Sequence, residues 1–76
     1  MNQQQLDARG LLCPMPVIKT QNAIQQLKPG DQLLVKATDP GVLHDIPAWC
    51  RVNGHKVVSS DEQDREITIV IEVCKI

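Results

Sequence analysis

Cys13-Pro14-Met15-Pro16 is the stretch of this sequence whose residue types and spacing could do chemistry. Cysteine reacts as its thiolate. A cysteine immediately before a helix faces unpaired backbone amides and the positive end of the helix dipole, both of which favour that anion. Pro14 marks such a helix start, because the N–H it lacks would have no partner there. The guanidinium of Arg9, upstream in the same loop, is a second cation within reach. Cys13 is therefore expected to titrate below the free-thiol value of about 8.5.

The prolines modify this reading. Taken as the first and third helical positions, Pro14 and Pro16 remove two amides from the surroundings of the sulfur, whereas Met15 and Val17 keep theirs. Each ring fixes φ near about −65°, so the loop loses fewer conformations on folding and presents its sulfur in one direction. Leu11, Leu12 and Met15 add apolar surface at the loop tip, a small docking patch for another protein. The nearest downstream histidine is His44, and neither it nor His55 completes a Cys-His signature, so hydrolysis by such a pair has no support. An activated, exposed thiol without base or pocket suits receiving a group and passing it on by exchange with the sulfurs of partner proteins.

The elements that must position this loop can be read from punctuation and periodicity. Leu6-Asp7-Ala8 reads as a first strand, β1, ending at Arg9-Gly10. Over residues 14–27, Val17, Thr20, Ile24 and Leu27 recur at spacings of three and four, which predicts helix α1. Lys28-Pro29-Gly30-Asp31 ends it. Residues 32–38 form a short apolar run of strand length, β2. Asp39-Pro40 can cap α2, which Pro47 is expected to break, with Asp45 re-capping a second piece through Asn53. Residues 55–59 read as β3 and residues 60–64 as a polar hairpin loop. In residues 66–73, Ile67, Ile69, Ile71 and Val73 fall on one face, the clearest alternation in the chain, which predicts a central β4. The order βαβαββ makes an α/β (α+β) two-layer sandwich, a four-stranded mixed sheet with both helices on one face if β1, β2 and β3 run parallel.

Length and composition exclude other classes. At 76 residues the chain is one domain, residues 1–76, with no room for an interdomain cleft. The core must be aliphatic, because Trp49 is the sole aromatic. With 8 basic and 9 acidic side chains there is no electrostatic footprint for a phosphate backbone, so direct binding to nucleic acid is not expected. No apolar run has membrane-spanning length and Met1-Asn2-Gln3-Gln4-Gln5 does not read as a signal segment, so no membrane partner and a cytoplasmic location are expected. Cys13, Cys50 and Cys74 are widely spaced and odd in number, unlike a disulfide framework.

The remaining conspicuous residues have plain structural readings. Cys50 shares a helical piece with Ile46 and Trp49 and reads as a core thiol, and Cys74 as a structural or incidental one. Trp49 is expected to be the largest core filler. His44 and His55 make no zinc-site spacing with the cysteines and read as surface polar residues; no metal or cofactor is expected. Arg9 either pairs with Asp7 or lies beside the thiolate.

The segment 6–16, LDARGLLCPMP, together with Pro29-Gly30-Asp31, Asp39-Pro40 and Asp45-Ile46-Pro47, resembles the TusA/SirA-like family of small sulfur-carrier proteins over nearly the whole chain. The resemblance implies a two-layer fold like the C-terminal domain of a bacterial translation initiation factor, with the last strand inserted between β2 and β3. It also implies that Cys13 takes up sulfane sulfur as a persulfide from a cysteine desulfurase or rhodanese-like donor and yields it to an acceptor protein, with Pro14 and Pro16 as scaffold. Family members that serve tRNA thiolation commonly carry a basic residue before the cysteine and an acidic one between the prolines, where this chain has Leu12 and Met15. The expected protein is thus a monomeric, sulfurtransferase-type carrier acting with partner enzymes. The competing reading is a noncatalytic binding or regulatory module that uses the apolar Cys-Pro-Met-Pro loop. RNA binding by fold analogy lacks both basic clusters and stacking aromatics.

Overall fold

The computed structural model describes residues 3–74. Met1 and Asn2, read above for a signal, lie outside the described residues. The elements run β1 (Gln3–Ala8), α1 (Met15–Ile24), β2 (Gln32–Ala37), α2 (Val42–Asn53), β3 (Lys56–Gln63) and β4 (Glu66–Glu72). They build one four-stranded sheet in the order β1-β2-β4-β3. β1 and β2 are parallel, and β4 runs antiparallel to both β2 and β3, so the last strand lies between two earlier ones as expected.

Alternation decides which face of the sheet is covered. Leu33, Val35 and Ala37 of β2 stand beside Ile71, Ile69 and Ile67 of β4, and all six are buried. Val42, Ile46 and Cys50 form the buried stripe of α2, while Pro16, Thr20 and Ile24 form that of α1. Thr20 is fully buried because its hydroxyl donates to the Pro16 carbonyl at 2.8 Å, which satisfies its only polar group within the helix.

Three departures from the sequence reading have physical causes. The two edge strands are longer than expected. The outer half of β1 is Gln3-Gln4-Gln5, and the outer half of β3 is Ser-Ser-Asp-Glu-Gln, all exposed; polar residues belong at an edge facing water but leave no apolar signature. The β3–β4 connection consequently shrinks to Asp64-Arg65, both at positive φ (50° and 67°), the conformation that two-residue hairpins require. Helix α1 stops at Ile24, because the amides of Gln26 and Leu27 bond carbonyls three residues back and tighten the end.

The third departure is in α2, which passes through Pro47 without a break. Proline removes the bond to the Leu43 carbonyl, but Leu43 is exposed and water can serve that group. Burial of Val42 and Ile46, worth about 1.5–3 kcal/mol each, offsets the roughly 3 kcal/mol cost of an internal proline. Gly54 then closes the helix at φ 80°, a left-handed conformation that glycine adopts without strain.

Candidate functional site

The Cys13 loop hangs between the end of β1 and the start of α1 and is tied down from both sides. After Ala8 the chain reverses at Gly10, whose φ of 81° is open to glycine and whose amide donates to the Thr38 hydroxyl at 2.9 Å. Leu11 turns inward against the core, while Leu12 is 74% exposed. The Cys13 amide donates to Oδ2 of Asp39 at 2.9 Å, and Oδ1 of Asp39 accepts the Gly41 amide at 3.1 Å. One carboxylate therefore joins the thiol loop to the start of α2. Cys13 itself is exposed.

The helix geometry differs from the sequence expectation by one position. Pro14 is the cap and Pro16 lies inside the first turn, so Cys13 stands one residue outside the helix. The Met15 amide bonds the Leu12 carbonyl at 2.9 Å, so it does not serve the sulfur. Instead the Cys13 thiol donates to Oδ2 of Asp45 at 3.2 Å.

This corrects the expectation of an activated thiolate. The hydrogen bond to the Asp45 carboxylate pushes the Cys13 thiol above its ordinary pKa, with partial desolvation and the charges of Asp45 and Asp39 acting the same way. Asp39 moves in the opposite direction, because the Cys13 and Gly41 amides stabilise its anion. Of the two roles open to Arg9, the structure takes the pair with Asp7, through contacts of 2.9 and 3.0 Å, with a looser contact to Glu66 at 3.6 Å. Arg9 holds the Asp7 carboxyl down to about 2.

Asp39 and Asp45 were the site residues not assigned from the sequence. Both lie more than two dozen positions from Cys13, beyond the reach of local spacing, and both read as helix caps. Their signal was present in the Asp39-Pro40 and Asp45-Ile46-Pro47 motifs. Asp45 is not needed as a second cap because α2 is continuous: its amide bonds the Gly41 carbonyl at 2.9 Å and its side chain is left for the thiol.

Leu12 and Met15 of the loop tip are exposed, whereas Leu11 of the expected patch packs against the core; Ile18 of α1 and Leu43 of α2 are exposed as well. The other thiols are elsewhere. Cys50 is buried in the core, and burial pushes its thiol up to about 11, with a smaller contribution from Cys74. Cys74 is exposed, and its amide donates to Nδ1 of His55 at 3.3 Å. His55 is half-buried rather than a plain surface residue and stacks on Trp49 at 5.5 Å between ring centroids. Trp49 is correspondingly placed at the margin of the core, packed against it and only partly buried. A groove of about 630 Å³ near the C-terminal end of α2 is lined by Trp49, Val52, His55 and neighbours, none of them from the Cys13 loop. His44 is exposed. Among the described residues no group of three or more His, Cys, Asp or Glu could hold a metal ion, and no helix is long and apolar enough to cross a membrane.

The model of the family described as sulfurtransferase TusA matches residues 4–73. The chain belongs to the TusA family. It is 42% identical over 72 residues to a Neisseria meningitidis serogroup A relative, covering 95% of this chain and 97% of that one. It is 47% identical over 58 residues to the sulfur carrier protein TusA of Pseudomonas paraeruginosa, covering 76% and 73%. The crystal structure of a SirA-like protein from Desulfitobacterium hafniense has the same fold, with a TM-score of 0.80 at 22% identity over 99% of this chain and 100% of that one. TusA-family membership makes this chain a sulfur carrier, with a donor and an acceptor as its general kinds of partner.

Proposed function

We propose that Cys13 carries the sulfur, as a persulfide. The thiol attacks the outer sulfur of a donor persulfide, the donor's S–S bond breaks, and the donor's inner sulfur departs as a thiolate. An acceptor thiolate then attacks the sulfur held on Cys13, which returns to a thiol. One S–S bond replaces another at each step, so no cofactor is needed. The observation that carries this reading is the exposed Cys13 thiol on a loop pinned by Asp39 and framed by Pro14 and Pro16. The donor is a cysteine desulfurase or rhodanese-like protein, and the acceptor a protein of a cytoplasmic sulfur relay such as tRNA thiolation. The chain acts as a monomer beside these enzymes.

Incubation with a cysteine desulfurase, its cofactor and free cysteine should give a species heavier by one sulfur atom in intact mass spectrometry. Cys13→Ser should abolish that species while Cys50→Ser and Cys74→Ser retain it. A mass gain that survives Cys13→Ser would remove the assignment. The exposed Leu12 and Met15 of the loop also fit a noncatalytic docking module. Under that reading Cys13→Ser would keep both partner binding and biological activity, whereas a carrier loses activity and stays folded.

A further inference from the structure

Two aspartates approach Cys13, and they are differently engaged. Both oxygens of Asp39 accept backbone amides, one from Cys13 and one from Gly41, so this side chain fixes the loop. Asp45 accepts from the thiol itself at 3.2 Å, and its position is set separately by the first turn of α2. Asp39 and Asp45 are the charged groups acting on the sulfur, since the guanidinium of Arg9 is directed at Asp7 and Glu66. A thiol between two carboxylates holds its proton, and that proton must leave as the sulfur forms its new bond. The site supplies an acceptor already in contact.

We infer that Asp45 is the proton acceptor for Cys13 during sulfur transfer, an assignment that rests on the carrier reading above. As Sγ bonds to the outer sulfur of the donor persulfide, the Sγ proton passes to Oδ2 of Asp45. The donor's S–S bond breaks, and its inner sulfur leaves with the bonding pair as a thiolate, which then takes a proton through solvent as Asp45 gives one up. Sulfur is transferred with no net oxidation or reduction. Asp39 does not share this task, because it is bonded to the loop's backbone.

The test compares the wild type with Asp45→Asn, a substitution of the same shape at a half-exposed position, checked for its fold by circular dichroism. Glutathione persulfide serves as donor from pH 6 to 9, with loading followed by intact mass spectrometry; iodoacetamide on the same samples reports the thiol's own titration. Removing the carboxylate should move the alkylation midpoint down, since the repulsion of the thiolate is lost. Loading should change in the opposite sense at low pH. At pH 6 the variant should load about a hundredfold more slowly than the wild type, the size typical of a lost general base. Its rate, relative to the wild type, should then climb about tenfold per pH unit as thiolate forms. Asp45→Glu should restore part of the rate at pH 6. An Asn variant that loads at pH 6 as fast as the wild type, or faster in step with its alkylation, overturns the role of Asp45 and leaves the carrier reading standing. A wild type that takes up no sulfur from glutathione persulfide or a charged desulfurase overturns both.

Discussion

Cys13 and Cys50 both hold their protons more tightly than a free thiol, but for opposite reasons. At Cys13 the cause is a carboxylate in hydrogen-bond contact at an exposed loop. At Cys50 it is burial: the side chain is 1% exposed, and its thiol is pushed up to about 11. A raised pKa therefore has two meanings within one small molecule. The proton on Cys13 has an acceptor and the sulfur a route to partners, whereas the buried proton on Cys50 has neither among the described residues. Exposure and the nature of the neighbour separate the two sites; the direction of the shift does not.

Site-resolved alkylation tests this contrast where it should be largest. With iodoacetamide at pH 8 under native conditions, Cys13 should be modified at least about a hundredfold faster than Cys50, which must wait for the fold to open. Comparable rates, measured by peptide mass spectrometry, would mean that α2 opens far more easily than its buried stripe implies. A smaller effect separates the two thiols in alkaline solution. Because the folded pKa of Cys50 is raised, its stabilising contribution is whole below the unfolded value of about 9 and is lost as pH rises through about 11. Urea unfolding should show the wild type losing about 2 kcal/mol more than Cys50→Ala between pH 8 and pH 11. Parallel losses would show that the buried thiol does not stay protonated for the reason given. The smallest effect belongs at the rim of the Cys13 site. Leu12→Ala should alter stability by no more than about 0.5 kcal/mol, since this side chain is mostly in water; a larger change in the urea midpoint would reveal packing beneath the loop.

How much of this was legible in the sequence depended on whether the signal was local. Ile67, Ile69 and Ile71 alternate because β4 is central and covered on one face, and the strand could be read directly. The edge strands run beyond their apolar stretches because Gln3 to Gln5 and Ser60 to Gln63 face water, where no alternation is imposed. Pro47 reads as a break on its local cost alone; the burial of Val42 and Ile46 before it and of Cys50 after it carries the helix through. Cys13 stands out through its own neighbours, but the sign of its pKa shift does not. A helix dipole acts on residues adjacent in sequence, whereas the dominant partner of the thiol, Asp45, arrives from another helix.

The strand order also has a consequence for synthesis. Because β4 lies between β2 and β3, the ribosome finishes the two flanking strands before the one that bridges them exists. Until Glu66 to Glu72 has cleared the exit tunnel, the nascent chain has only the β1–β2 parallel pair and a β3 without its sheet neighbour. The thiol at residue 13 is thus made well before β4, and the sheet supporting it can close only after β4 has emerged.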